Sequence, residues 1–156
     1  MNTVISPYYG YLKTKAKRLW NIKNFARSRS LNIEKYELLG AHLIALDPVK
    51  SKLVYAARTP GSSSCLIVDL AKCEQCIIRK VYGPIDAGEL KFKKVNLFLR
   101  KVFLQLIYKG NSGKLSLLLF DSQTEGCVNL EQLEVKAKHW QRLVSSALPV
   151  QIQDRA

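Results

Sequence analysis

The spacing of apolar residues is helical near both ends of the chain. Between Tyr8 and Ser28 they gather on one side of a helical wheel and polar residues on the other, which predicts an amphipathic helix. The apolar side holds Tyr8, Leu12, Ala16, Leu19, Trp20 and Ala26. A second helix is predicted between Asn129, a residue suited to capping, and Pro149. Its apolar residues recur at spacings of three and four: Leu133, Ala137, Trp140, Val144 and Ala147.

Between the two helices, short apolar runs alternate with turn residues, as in an antiparallel β protein. The turn signals are Asp47-Pro48, Pro60-Gly61, Gly83-Pro84 and the stretch from Gly110 to Gly113. They separate the predicted strands Tyr36–Leu46, Lys52–Arg58, Cys65–Leu70, Gln75–Tyr82 and Leu115–Phe120. The run from Leu90 to Tyr108 is too long for one ordinary strand, so we interpret it as two strands or as one strand bent near Arg100.

A small half-open barrel leaves one mouth uncovered, and a helix with a single apolar stripe can close it. Here the predicted strands are followed by a helix with Trp140 at its centre, in the run Lys136-Ala137-Lys138-His139-Trp140-Gln141-Arg142-Leu143. This order resembles the pleckstrin-homology-like (PH-like) superfold over residues 36–148. We therefore expect a mainly β protein with helices (α+β), a small antiparallel PH-like β-barrel capped by its C-terminal helix. Residues 1–35 are expected to form a basic amphipathic helix with a connector, and residues 149–156 a tail.

The chain is strongly basic, with 25 Lys and Arg against 12 Asp and Glu and a net charge of +13. Such an excess points to an acidic partner, whether nucleic acid, an anionic membrane surface or an acidic protein. The charge is unevenly spread, because no Asp or Glu occurs from Met1 to Ser30. The cations of that segment are Lys13, Lys15, Lys17, Arg18, Lys23, Arg27 and Arg29. The simpler interpretation of such a run is a solvated helix face.

The PH-like resemblance carries its own expectations about function. Domains of that superfold commonly bind phosphoinositides, peptides or other proteins and are rarely enzymes. Their lipid-binding members use basic residues on the first two strands and the loop between them, and the corresponding residues here would be Lys50, Lys52 and Arg58. The loop at residues 47–51 is short and carries Asp47, so it departs from the lipid-binding pattern.

Candidate chemistry is sparse. Cys73 and Cys76 form a CxxC pair, but a structural zinc site calls for a second pair, and Cys65 and Cys127 stand singly. The pair lies at the start of a predicted strand, which does not suit a thioredoxin-like redox site at a helix N-terminus. At least one of the two is expected to be a core residue, since free cysteine is often buried. We expect no metal, no cofactor and no enzyme activity.

The predicted location is cytoplasmic, with a peripheral position on a membrane as one form of it. No run of about 20 apolar residues is present to span a bilayer, and Lys13 precedes any apolar signal segment. The cysteines are then expected to be reduced thiols. An organelle transit peptide is the alternative explanation of the acid-free first segment.

Two hypotheses about function follow from these patterns. The first is a non-catalytic interaction module whose partner is a protein, a peptide or an anionic membrane surface. The alternative is a nucleic-acid-binding protein that uses the basic N-terminal helix. The residues predicted to contact an anionic partner are Lys13, Lys15, Lys17, Arg18, Lys23, Arg27, Arg29, Lys50, Lys52 and Arg58.

Overall fold

The structure, a computed structural model of the chain, describes residues 19–59, 62–86, 88–91, 95–124 and 129–150. Residues 19–28 form helix α1, whereas residues 8–18 lie outside the described residues, so the predicted basic helix from residue 8 stays a prediction. The predicted turn at Pro60-Gly61 and most of the predicted tail, residues 151–156, also lie outside them. The divisions at residues 35 and 148 stay predictions.

Within the described ranges, seven strands form two antiparallel sheets in simple sequential order. The first sheet contains β1 (Lys35–Leu39), β2 (His42–Asp47), β3 (Lys52–Thr59) and β4 (Ser62–Asp69). The second contains β5 (Cys73–Tyr82), β6 (Leu99–Tyr108) and β7 (Lys114–Asp121), and helix α2 (Leu130–Ala147) follows it. The expected α+β class is therefore confirmed, with the strands and the C-terminal helix in the expected order.

The two sheets do not close into the predicted barrel. Among the described residues, no strand of one sheet pairs with a strand of the other, because the chain leaves β4 through a short 3-10 turn at Leu70–Lys72 and starts a new ladder at β5. The sheets instead share a core to which both contribute side chains. One side-chain bond also links them, since the hydroxyl of Tyr55 on β3 donates to the carbonyl of Leu118 on β7 at 2.6 Å. That hydroxyl accepts from His42 Nδ1 at 3.2 Å, because its single proton is given to Leu118.

Two strand predictions are corrected in the structure. The run Tyr36–Leu46 is a hairpin rather than one strand, because Gly40 takes a φ of 58° and β1 turns back into β2 after a two-residue loop. The run from Leu90 contains one strand rather than two. Its first part forms 3-10 turns at Glu89–Lys91 and Val95–Phe98, and β6 begins only at Leu99.

Helix α2 reaches the edge strands of both sheets. Its first turn is capped by Asn129, whose side chain accepts from the backbone N–H groups of Glu131 and Gln132, as the sequence predicts. Trp140 is 2% exposed, and its indole Nε1 donates to the carboxylate of Glu37 on β1 at 3.0 Å. Gln141 Nε2 donates to the carbonyl of Cys76 on β5 at 3.2 Å. The predicted burial of the helix tryptophan is confirmed.

Helix α1 covers the opposite face of the first sheet. Ile22, Ala26 and Leu31 pack against residues of β2 and β3, which are thereby buried on both faces. The helix ends in a Schellman motif, because the Leu31 N–H donates to the Ala26 carbonyl and the Ser30 N–H to the Arg27 carbonyl, with Ser30 at a φ of 60°. The motif turns the chain so that Leu31 lies over Ala26 in this second cluster.

One residue of α1 departs from the predicted apolar side. Trp20 is 64% exposed, whereas Ile22 faces the sheet. The helix is therefore rotated relative to the expected face, because the sheet surface takes small and aliphatic side chains. Within the part of the chain that the structure describes, no helix combines the length and the apolar character needed to cross a bilayer.

Candidate functional site

The predicted basic residues fall into three groups. Four of them, Lys13, Lys15, Lys17 and Arg18, lie outside the described residues, and so does the side chain of Arg58. Lys23 and Arg27 lie on α1 and Arg29 directly follows it, whereas Lys50 lies in the turn between β2 and β3 and Lys52 begins β3.

The cations of α1 are placed against aromatic rings or solvent. The ammonium of Lys23 lies 5.0 Å from the centre of the Tyr36 ring, and the guanidinium of Arg29 lies 5.5 Å from that of Phe25. Contacts of this kind contribute about 0.5–1 kcal/mol at exposed sites and restrict where the charge can move. Arg27 is exposed beside them. This end of α1 therefore carries three cations, two of which are held in position by aromatic neighbours.

Asp47 joins the turn between β2 and β3 to the end of α1. Its carboxylate is 1% exposed and accepts from the backbone N–H groups of Asn32, Val49 and Lys50 at 2.9, 3.1 and 3.2 Å. The ammonium of Lys50 also donates to the carbonyl of Ser30. The acidic residue that departs from the lipid-binding pattern is therefore a buried structural acceptor, and Lys50 belongs to the same surface as Arg29.

Lys52 faces a different environment. Its ammonium lies 3.2 Å from the carboxylate of Asp69 on the neighbouring strand. Desolvation alone would raise the pKa of Asp69, but hydrogen bonds from Lys52 and from the Ala71 N–H, with the charges of Lys52 and Lys72, lower it below its ordinary value. The charge of Lys52 is thus balanced locally, and Lys52 is not part of the basic surface around α1.

The correspondence drawn from the PH-like resemblance also changes. Because the predicted first strand is in fact the β1–β2 hairpin, the loop between the first two strands is Gly40-Ala41, which carries no cation. Lys50 lies in the next turn along the chain, and Lys52 and Arg58 lie at the start and near the end of β3. The three residues therefore do not lie on the first two strands or in the loop between them, because one strand boundary was missed at Gly40, and their contact with an anionic partner stays a prediction.

A groove that the sequence did not predict lies between α2 and the second sheet. It has a volume of about 480 Å³ and lies between the first half of α2, the later part of β5 and the start of β6. Its apolar lining comes from Ile77, Ile78, Leu99, Val102, Leu130, Leu133 and Ala137. We call this space the β5–α2 groove. A volume of this size falls in the range of pockets that hold ligands or side chains of partners.

Charged and amide side chains form the rim of the β5–α2 groove. Glu134 lies 3.0 Å from the ammonium of Lys80 on β5 and 3.4 Å from that of Lys138 one turn later on α2. The hydrogen bond and charge of Lys80, followed by those of Lys138, lower the pKa of Glu134 below its ordinary value. Tyr82 and Gln141 complete the lining. The rim therefore holds two ammonium groups against one carboxylate.

The CxxC residues are part of the core. Cys73 and Cys76 are both buried on β5 within the shared cluster, which confirms the prediction that at least one of them is a core residue. Burial, together with the neighbouring Cys73, raises the pKa of Cys76 to about 12. Cys65 on β4 is exposed, and Cys127 lies outside the described residues. Among the residues that the structure describes, no three His, Cys, Asp or Glu side chains are grouped to hold a metal ion.

Comparison with known proteins adds no relative. A scan against protein-family models, a search of curated proteins and a search of solved structures each found no match to this chain. The function of this protein is therefore inferred from the geometry of the β5–α2 groove and of the basic end of α1.

Proposed function

We propose that this protein is a non-catalytic binding module that holds an extended peptide segment of a partner protein in the β5–α2 groove. The observation that carries the proposal is the groove itself, an apolar space of about 480 Å³ beside an edge strand. Most of its lining residues are apolar, and its Lys and Glu side chains are paired with one another, so it offers contact surface.

The position of β5 favours an extended occupant. β5 is the first strand of the order β5-β6-β7, so one of its edges has no strand partner among the described residues. An extended peptide can use backbone hydrogen bonds along such an edge while its alternate side chains enter pockets. The side-chain amide of Gln141 already bonds the backbone carbonyl of Cys76, which supports the idea that β5 carbonyls are accessible from the side of α2.

Charge defines the chemistry of the partner segment. Lys80 and Lys138 outnumber Glu134 at the rim, and the whole chain carries a net charge of +13. A segment with apolar residues at every second position and at least one carboxylate matches both the floor and the rim. Complementary charge of this kind mainly increases the association rate and the specificity.

The order of secondary structure elements supports a PH-like assignment as part of this proposal. A four-stranded meander, a three-stranded meander and a C-terminal helix with a buried tryptophan follow one another in this chain. Domains that the pattern resembles bind peptides and proteins as well as lipids. The membrane form of the hypothesis has less support, because Ile22 and Ala26 of α1 already pack on the first sheet and are not free to enter a bilayer.

The experiment is a selection of random linear peptides displayed on phage, with the full chain as bait. Affinities of the selected peptides are then measured by fluorescence anisotropy, and their site is mapped by amide hydrogen exchange. We expect acidic, alternating apolar sequences, with protection confined to β5 and the first half of α2. Protection centred on α1 or on β4 would contradict the proposal.

Matched variants on α2 provide the control. Lys138→Glu and Leu130→Gln alter the groove, whereas Lys136→Glu and Val135→Gln make the same changes at residues that do not line it. We expect the groove variants to weaken peptide binding about tenfold, a loss typical of one central contact, and the controls to leave it nearly unchanged. Equal losses in the two pairs, or a selection that yields no binder, would refute the proposal.

A further inference from the structure

The exposed side of α1 combines an aromatic ring with cations in one row. Trp20, Lys23 and Arg27 are separated by three and four residues, so they are neighbours along one side of the helix. The packed side of the helix, which contains Ile22 and Ala26, faces the first sheet. The row is therefore fixed relative to the rest of the protein by the docking of α1.

Trp20 is the unusual member of this row. Its indole is 64% exposed, whereas the other tryptophan of the chain, Trp140, is 2% exposed. The packing of α1 against the first sheet is made by other side chains, so the exposed Trp20 is not needed for it. Its flat face is instead available beside two cations, an arrangement that can stack on an unpaired base while the charges contact phosphates.

Further groups lie near the end of α1. Lys50 bonds the carbonyl of Ser30, which places its ammonium beside the last turn. Tyr36, beneath Lys23, is 46% exposed and offers a second ring. The first acidic residue of the whole sequence is Glu34, so the segment that precedes it carries only positive charge.

From this arrangement we infer that the outer side of α1 is a binding surface for single-stranded nucleic acid. It contacts the phosphate backbone and stacks on bases, and it does not recognise a particular sequence. The charges neutralise phosphates, and Trp20 stacks on a base. A membrane is the less suitable anionic partner, because in the described part of α1 the apolar stripe is occupied by the sheet and Trp20 alone is left as a large exposed apolar side chain for insertion. This surface is separate from the β5–α2 groove and does not depend on the function proposed for it.

The test uses the fluorescence of Trp20 in the full chain. Unlabelled oligothymidylate is titrated into the protein at low ionic strength. Its length is about 16 nucleotides, the upper limit of the site size of one small single-strand-binding domain. Stacking quenches the exposed Trp20, while Trp140 is shielded by the core. We expect saturable quenching that is abolished by Trp20→Phe. We also expect an affinity that falls with salt, by a slope of about −0.7 for each phosphate contacted on a single strand.

Two triple variants of equal charge separate a defined surface from diffuse attraction. Lys23→Gln, Arg27→Gln and Lys50→Gln remove the charges of the row and of the ammonium near the end of α1. The control triple, Lys109→Gln, Lys114→Gln and Arg142→Gln, removes the same charge from exposed residues of the β6–β7 hairpin and α2. We expect the first triple to weaken binding about tenfold or more and to flatten the salt slope by roughly 2, and the control to change both little.

Several results would overturn the inference. These are absence of binding at low salt, equal losses in the two triples, and binding that leaves Trp20 fluorescence unchanged. Heparin could bind as tightly as the oligothymidylate, with both affinities unchanged by Trp20→Phe. That result would indicate a polyanion surface without base stacking. Tight binding to phosphatidylserine vesicles in place of the oligonucleotide would assign the surface to a membrane instead.

Discussion

Removal of the Trp140 side chain tests whether α2 is part of the core. The side chain is 2% exposed and packs within the cluster shared by both sheets, so Trp140→Ala leaves a large cavity. Losses of this type cost about 3–5 kcal/mol. For a domain near this size, each kcal/mol lowers the melting temperature by about 2–4 °C, so we expect a fall of roughly 6–20 °C. Urea unfolding is followed by far-UV circular dichroism, because the mutation removes one of the two fluorophores.

A double-mutant cycle isolates the hydrogen bond from the cavity. Trp140→Phe keeps most of the ring volume and removes the donor to Glu37, and Glu37→Ala removes the acceptor. Because Glu37 is only partly buried, water can replace part of the bond, and we expect a coupling of about 1 kcal/mol. A cost below about 1 kcal/mol for Trp140→Ala would refute the assignment of α2 to the core. Zero coupling in the cycle would refute the bond between α2 and β1.

Three further outcomes are expected. Asp47→Ala should lower the free energy of unfolding by about 1–3 kcal/mol in urea titrations, because three backbone N–H groups lose a charged acceptor that is itself buried; an unchanged midpoint would contradict this. In a Cys127→Ser background, a disulfide reagent at mildly alkaline pH should modify Cys65 before Cys76: desolvation raises the pKa of both thiols, but Cys65 is exposed whereas Cys76 is buried with a pKa raised to about 12; modification in the folded protein that survives Cys65→Ser unchanged would be inconsistent with it. Because the pKa of Glu134 is lowered in the folded protein, its ion pairs add stability at pH values above its ordinary pKa of 4.5, and this stability is lost as the pH falls through the pKa of the folded state. Glu134→Gln should therefore flatten the acid side of a plot of melting temperature against pH. Unaltered acid sensitivity would count against the ion pairs.

The sequence predicts the order of elements well where one face of an element meets solvent. α2 shows a clear helical period because its outer side is exposed, and its cap at Asn129 is found as expected. β2 is different, because all six of its residues are buried between the core and α1. A strand covered on both faces has no alternation to mark its ends. Only the positive φ at Gly40 separates it from β1, and a single glycine is a weak signal in a sequence.

The candidate sites are less accessible to sequence reasoning. The β5–α2 groove is assembled from residues that are far apart in the chain, such as Ile78 and Leu130, and no spacing relates them. The pairing of Lys52 with Asp69 is likewise set by strand register, and it removes a charge that the sequence alone counts as available. A helical wheel assigns Trp20 to the packed side because it classes the ring as apolar. It does not show whether the sheet has space for that ring.

The docking of α1 has a consequence for synthesis on the ribosome. The helix is synthesised before β2 and β3, the strands against which Ile22 and Ala26 pack. Its apolar side therefore stays exposed until those strands have been translated. We expect the neighbouring positive charges to oppose association between nascent chains during that interval. Shortening the delay between α1 and β3, or neutralising those charges, is therefore expected to alter the yield of native protein without altering the finished fold.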